Sequence, residues 1–389
     1  MKKRVLVDAT ALSDQYKGRG IGTYALNLIR RLIQDKNYDW HLIGFEDVKN
    51  KFSNITFHSL GEVELSTPKN FLLFRRNYIP VIKKVKPDLY FAPHFERGLP
   101  LGICKIAVAL HDISPYLFKK YSSKGTIANF LKGLVYKYNL NRAKKADIII
   151  TISNFTKSEL VRAGLDKNKI SVTYLGLSED FDLETLKKVK DRKKVLEKYN
   201  IKKPYLLYYG GLEPNKNVDK LLEVFKIIMK KIKVKLVILD KNLYREGNQI
   251  LAKSRRAEEI KRIIRELDIE NDIILSKFVK WKDLPIVLNE SEAFVHLSSY
   301  EGFGLGCLEA MAAGSPVIAA DKSCYPEIHG SAAVLVDPNN IKKVSEEVMK
   351  IIKEPGLKRE LSNKGIKQSK KYSWEKCAKR TLEAFEAVL

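Results

Sequence analysis

The sequence predicts an α/β protein built from two doubly wound, Rossmann-like parallel-sheet domains in tandem. Three observations carry that expectation. The chain has 389 residues, and single cores rarely grow beyond roughly 250–300 residues. Short apolar runs alternate with helical patterns through both halves, as a parallel sheet with helices on its faces requires. A polar, charged stretch at 178–203, containing DLETLKKVKDRKKVLEKYN, separates one series of alternations from the next.

In chain order, the first half offers strands at 4–8, 40–44, 88–91, 105–110 and 147–151, with helices at 22–34, 70–84, 125–144 and 154–163. The opening MKKRVLVDATAL has the basic start of a signal peptide. However, Asp8 interrupts its apolar stretch and no small-residue cleavage site follows, so it reads as the first strand. The second half repeats the pattern. Strands are expected at 205–209, 235–239, 272–275, 293–297 and 316–319, and helices at 218–230, 258–267 and 305–313, with more helix from 341 to the end. The expected domains are 1–180 and 200–371. Open parallel sheets bind ligands beyond the carboxyl ends of their strands, so facing edges would put the active site in the cleft between them.

Composition narrows the class. Hydrophobic residues make up 45% and charged residues 30%, which is ordinary for a globular protein. No apolar run approaches the ~20 residues of a membrane-spanning helix. Cys104, Cys307, Cys324 and Cys377 form no CxxC pair or metal-type cluster, as expected of reduced cysteines in a cytosolic protein. The formal charge is +25. Residues 1–178 carry 30 Lys and Arg against 14 Asp and Glu, a surplus of 16, so most of the excess sits in the first half. Such a surplus attracts phosphates, nucleic acid or anionic lipid, and it equally serves solubility.

Four segments carry chemistry. In KGRGIGTYALNLIRRL, Gly18, Gly20 and Gly22 lie just before an amphipathic helix, where backbone can approach an anion or acceptor closely. The spacing is not GxGxxG and also suits an ordinary turn. In ALHDISPYLF, His111 and Asp112 follow a buried-looking strand. A histidine there can bond a sugar hydroxyl, or simply be satisfied within its loop. No GxSxG elbow supports a serine hydrolase. In YYGGLEPNKNVDKLLEVF, a strand ends in Gly210 and Gly211, and a helix starts near Asn217 with Lys216 at its mouth. A lysine beside free backbone N–H groups clamps a diphosphate well, although this is no Walker loop and Lys216 also fits as a surface residue.

The fourth segment, FVHLSSYEGFGLGCLEAMAAGSPVIAAD, is the most informative. Glu301 and Glu309 stand eight residues apart, with Gly302, Phe303, Gly304 and Leu305 between them at a helix start. The glycines expose N–H groups that can cradle a hydroxyl or a phosphate oxygen. Glu309, one turn into the helix, can accept two hydrogen bonds from neighbouring hydroxyls such as those of ribose. Without the glycines, two glutamates at this spacing would read as a solvated helix face.

This segment resembles the E-x7-E signature of the retaining glycosyltransferases of family 4. Glu301-Gly302-Phe303-Gly304-Leu305 and Glu309-Ala310-Met311-Ala312 match its core, and Gly314-Ser315-Pro316-Val317 continues it. The blocks KGRGIGTY, LHDISP, TISNFTKSEL and GGLEPNKN, and the Pro326-Glu327 step, resemble the same family in order, and together its mannosyltransferase-B-like branch. The resemblance implies a GT-B fold. It also implies a nucleotide-sugar held mainly by the second domain, an acceptor held mainly by the first, no metal or other cofactor, and a final helix, 372–389, crossing back to the first domain. By motif match, Lys216 would grip the diphosphate with Gly211 and Asn217 beside it, and Glu309 would hold ribose. Glu301 and the backbone of Gly302, Phe303, Gly304 and Leu305 would hold sugar and phosphate. His111 would face the sugar, and Gly20 and Gly22 would lie under the diphosphate. Three positions depart from the pattern. Gly211 and Asn215 stand where relatives carry arginine, which leaves Lys216 needing a partner such as Arg19 or Lys241. Gly306 stands where proline is usual.

The activity implied is hexosyl transfer, with mannose from GDP-mannose moved to a polysaccharide or lipid-linked saccharide. A UDP-sugar-dependent hexosyltransferase of the same family is the alternative. The implied enzyme is cytoplasmic, at the inner face of the membrane, with peripheral contact to anionic lipid and no nucleic-acid partner. Two other classes fit parts of the sequence. A nucleic-acid-binding protein would use the basic first half, with FLLFRRNY at 71–78 and YLFKKY at 116–121. A nucleotide-sugar epimerase would share the phosphate-binding features and transfer nothing.

Overall fold

The computed structural model of the chain describes residues 2–13, 20–62, 68–94, 99–113, 137–277 and 279–389, with backbone alone at 68–76 and 187. Gly18, Arg19 and the 116–121 segment lie outside the described residues, as do most of the helix expected at 125–144 and the side chains of 71–76. The chain divides into two compact units, Met1–Gly176 with Ser373–Leu389, and Leu177–Tyr372. The polar stretch at 178–203 thus belongs wholly to the second unit. It holds two short helices, Leu183–Lys187 and Arg192–Lys198.

The first unit is built on seven strands: β1 (Lys3–Asp8), β2 (Tyr38–Gly44), β3 (Thr56–Ser59), β4 (Leu89–Ala92), β5 (Lys105–Ala109), β6 (Ile148–Thr151) and β7 (Ile170–Val172). They form one sheet in the order β3-β2-β1-β4-β5-β6-β7, parallel at every pairing. Its central strands are buried along their length, as β4 and β6 show, which is why they read as continuous apolar runs and not as alternation. The two strands not expected, β3 and β7, are the sheet's edges; they are short and half exposed.

The first helix spans Gly20–Leu32 and buries Gly22, Tyr24, Ala25, Leu28, Ile29 and Leu32, the three-and-four spacing of a single face. Among the described residues it already includes Gly20, two residues before the expected start, which corrects the reading of Gly20 and Gly22. Both sit in the helix and not in a loop preceding it. The C-terminal helix, Trp374–Glu386, is capped by Ser373 and packs against this first helix, with Arg31 Nε 2.6 Å from Glu375 Oε1.

Gly176 is where the C-terminal segment meets the body of this unit. A Cβ at Gly176 would lie 2.0 Å from the Trp374 backbone nitrogen and 2.4 Å from the Ser373 carbonyl carbon. Those are main-chain atoms with no rotamer to yield. Gly176→Ala is therefore expected to destabilise the first unit by about 3 kcal/mol, at the upper end of overpacking effects, and to lower its thermal midpoint. An unchanged melting curve would refute this close approach.

The second unit contains β8 (Tyr205–Tyr209), β9 (Lys235–Leu239), β10 (Leu243–Glu246), β11 (Gln249–Ala252), β12 (Ile273–Ser276), β13 (Ala293–His296), β14 (Val317–Ala320) and β15 (Ala333–Val336). Six of them make a parallel sheet in the order β12-β9-β8-β13-β14-β15, while β10 and β11 form a separate antiparallel hairpin turning at Gly247, φ 56°. The helices Val218–Met229, Arg255–Glu266 and Ile341–Lys353 bury Leu221, Phe225, Ile260, Ile264, Val344 and Val348 in a core shared with the sheet. Strand order reverses between β8 and β13. That is a topological switch point, where open α/β sheets leave a crevice at the carboxyl edge.

Candidate functional site

The strands on either side of that switch point deliver the two informative motifs. β8 runs into Gly210 and Gly211, the short 3₁₀ turn Pro214–Lys216, and Asn217, which sits in the left-handed region (φ 53°) and caps the helix Val218–Met229. β13 runs into the 297–301 segment. Several hydrogen bonds lace these loops together. Asn215 Nδ2 donates to Tyr300 O (3.1 Å), Ser299 N to Asn215 O (2.8 Å), and Asn217 Nδ2 to Leu297 O (2.7 Å). The asparagine standing where the resemblance expects arginine is thus a brace between loops.

Across this brace Lys216 Nζ lies 2.5 Å from Glu301 Oε1, with side chains 19% and 18% exposed. Burial pushes the Glu301 carboxyl up, but the Lys216 ammonium, His296 and hydrogen bonds from Lys216 and Ser298 outweigh it and hold it below its ordinary value. Glu301 N donates to Ser323 Oγ at 3.2 Å, which fixes the loop from the other side. Gly211 leaves no room for a larger residue without displacing Glu213, whose Oε2 would be 1.9 Å from an added Cβ. Lys241, a suggested cationic partner, is exposed just beyond β9, and the other suggestion, Arg19, lies outside the described residues.

Gly304 opens the helix Leu305–Ala312 with φ 78°, a conformation natural to glycine. A Cβ there would also lie 2.5 Å from Tyr325 Cε1. Gly304→Ala combines backbone strain with this clash and is expected to cost about 2–4 kcal/mol, read as a lowered thermal midpoint. An alanine variant as stable as the parent would contradict the geometry. Phe303 is buried, its ring 5.5 Å from that of Tyr372. Gly306 seats the Tyr209 ring, which would be 3.2 Å from an added Cβ.

Glu309 lies inside that helix, 4% exposed. Its carboxylate has no hydrogen-bond or ion-pair partner among the described residues. Burial alone pushes its pKa up to about 8, so a carboxyl in the second turn of an anion-favouring helix stands largely uncharged at neutral pH.

In the first unit His111 follows β5. Its Nε2 is 2.9 Å from Pro93 O, and its ring meets Tyr24 edge-on at 4.4 Å. A carbonyl oxygen only accepts, so Nε2 carries the proton, and Nδ1 is the nitrogen that can serve a ligand, as an acceptor. Burial depresses the imidazole to about 4, slightly opposed by the Pro93 carbonyl and aided by His94. Gly20 is exposed, and an added Cβ would meet nothing within 4 Å. Among the described residues no three His, Cys, Asp or Glu side chains gather as a metal site.

Sequence reasoning overlooked His296 and Tyr325. Both fall inside or beside quoted motifs, but nothing in the spacing says that Nδ1 of one lies 2.5 Å from the hydroxyl of the other.

Known proteins agree with this architecture. Residues 18–181 match the family described as Glycosyltransferase Family 4, and residues 190–368 match Glycosyl transferases group 1. The O-antigen chain mannosyltransferase B of Escherichia coli is 28% identical over 96% of this chain and 97% of its own. Two solved structures show the same fold. The Anabaena protein Alr3699/HepE, in complex with UDP and glucose, has a TM-score of 0.74 at 15% identity, covering 100% of both chains. A glycosyltransferase from Rickettsia africae has a TM-score of 0.71 at 18% identity, covering 100% of this chain and 98% of its own. The likeness of folds extends over the full length of the chain, and the matched families between them take in both sheets: this chain belongs to glycosyltransferase family 4 and has the GT-B fold.

Proposed function

We propose that this glycosyltransferase moves mannose from GDP-mannose, with retention of configuration, to a polysaccharide or lipid-linked saccharide. The observation that carries the nucleotide-sugar reading is the pairing of Lys216 with Glu301 at the switch point, together with the partnerless carboxyl of Glu309. The choice of mannose rests on the Escherichia coli relative, named for that activity.

In this reading Lys216, Gly211, Asn217 and the N-terminal end of the helix Leu305–Ala312 hold the diphosphate. Glu309 takes the ribose hydroxyls. Glu301 and the backbone of Gly302, Phe303 and Gly304 hold the sugar. His111 offers Nδ1 to a hydroxyl, and the Gly20–Gly22 end of the Gly20–Leu32 helix faces a phosphate. The bond from sugar C1 to the diphosphate oxygen breaks, and its electron pair leaves with the diphosphate. Positive charge that develops at C1 is met by the acceptor oxygen on the same face, and the acceptor proton passes to the departing diphosphate. Glu301, tied to Lys216, binds hydroxyls and does not attack. Trapping a sugar on Glu301 would reverse that assignment.

The acceptor binds the first unit, whose positive surplus suits an anionic membrane surface; no described helix is long and apolar enough to cross a membrane. The test is a panel of nucleotide-sugars offered with lipid-linked saccharide acceptors, following nucleoside diphosphate release and the anomeric configuration of the product. GDP-mannose is expected to turn over fastest, giving an α-mannoside. Preference for a UDP-hexose would move the donor assignment to UDP-sugars, and an inverted product would end the retaining mechanism.

A further inference from the structure

His296 ends β13, 6% exposed, with its ring stacked against Tyr208 at 5.4 Å and 14° and against Phe294 at 5.8 Å and 17°. Its Nδ1 lies 2.5 Å from the Tyr325 hydroxyl. The other nitrogen faces the turn after β8: a Cβ on Gly210 would lie 3.5 Å from His296 Nε2. Nε2 has no hydrogen-bond partner among the described residues. The ring also feels both members of the Lys216–Glu301 pair, with Glu301 raising its pKa and Lys216 lowering it, beneath a larger depression from burial to about 4. The imidazole is therefore neutral at working pH, and one nitrogen carries the proton.

The Tyr325 ring takes the space that a side chain at Gly304 would need, and its hydroxyl bonds His296. The glycine of the E-x7-E segment therefore makes room for the group that orients a histidine at the other end of the same loop. An anion at the Gly210 turn favours the tautomer with the proton on Nε2, and the tyrosine hydroxyl then donates to Nδ1.

We propose that His296 is a donor-binding residue of this transferase: with Nδ1 held by the Tyr325 hydroxyl, it donates Nε2–H to a diphosphate oxygen of the nucleotide-sugar at the Gly210 turn. Tyr325 is a positioning residue acting through it. This rests on the nucleotide-sugar reading above.

The test is calorimetric titration of the full chain with GDP and UDP, and with GMP and UMP as controls. His296→Ala is expected to weaken diphosphate binding at least tenfold and monophosphate binding less than twofold. His296→Gln, whose amide nitrogen reaches the Nε2 position, is expected to recover most of the loss. His296→Asn, whose amide reaches only the Nδ1 position, is expected to recover little. Tyr325→Phe is expected to lose severalfold. The Gln and Asn pair decides the matter even if the alanine variant fails to fold, because a packing role would not rank them by nitrogen position. Equal binding by the Gln and Asn variants, or a folded alanine variant that binds GDP and UDP like the parent, would overturn the assignment to His296 alone. A parent protein that binds neither diphosphate would overturn the nucleotide-sugar reading, and this proposal with it.

Discussion

Lys216→Ala is expected to lower the rate of sugar transfer by about 10²–10³-fold, the usual consequence of removing one fixed donor from a site where charge develops. The departing diphosphate gathers negative charge as its bond to the sugar breaks, and Lys216 comes from the loop at the switch point where that anion is expected. The two positions at which the resemblance leads one to expect arginine hold Gly211, crowded by Glu213, and Asn215, committed to bracing Tyr300. Neither contributes a cation, so more of the neutralisation falls to Lys216. The loss should appear mainly in kcat, since the interaction strengthens as the leaving group departs. A second effect follows from the ion pair. With the ammonium gone, burial of Glu301 loses its main offset, and its carboxyl should rise above its present depressed value. The acid limb of the pH–rate profile should therefore move to higher pH in the variant. Single-turnover rates with matched thermal midpoints would check both effects. A loss under tenfold, with the acid limb unmoved, would place the diphosphate elsewhere.

How far the sequence announces this site can be judged from particular elements. β8 and β9 are read to the residue, because YLLYY between Pro204 and Gly210 and LVIL between Lys235 and Asp240 are short apolar runs with sharp ends, which have one economical interpretation in a buried parallel sheet. β3 and β7 escape, because edge strands are short and half wetted and carry neither alternation nor a continuous apolar run. The β10–β11 hairpin escapes for a related reason: LYRE and QILA mix polar and apolar residues around a two-residue turn. At the site, residue types and spacing mark out Lys216, Glu301 and Glu309. They do not say that Lys216 and Glu301, 85 residues apart, share an ion pair, or that Glu309 is left without one. Those facts depend on which strands adjoin at the switch point, a long-range choice that no local pattern encodes. Gly20, in the first helix, shows the same limit. Glycine is a poor helix former, so propensity argues against helix at Gly20, while burial of Gly22 and Tyr24 against the rest of the unit favours a helix that includes it.

Glu309→Gln separates stability from binding. In the folded chain burial raises the carboxyl from its ordinary 4.5 to about 8. Between those values the folded state holds a proton that the unfolded state has released, so stability is greatest below about 4.5, falls as the pH climbs, and levels off above about 8. At 1.36 kcal/mol per unit the full loss is on the order of 5 kcal/mol. A neutral amide of the same shape has no such loss. The variant is therefore expected to melt close to the parent at pH 5 and several degrees above it at pH 9. Binding should move the other way. Two ribose hydroxyls donating to an ionised carboxylate are charge-assisted bonds, and an amide can accept only through its single oxygen, so nucleotide affinity should fall about tenfold to a hundredfold. The same bonds favour the ionised form, so in the parent, nucleotide binding near pH 7 should release a proton, while in the glutamine variant that proton release should vanish. Calorimetric titrations in buffers of different ionisation enthalpy measure it directly. A parent that releases no proton, or a variant that gains no stability at pH 9, would mean that the Glu309 carboxyl is neither neutral in the empty site nor the group that receives the ribose.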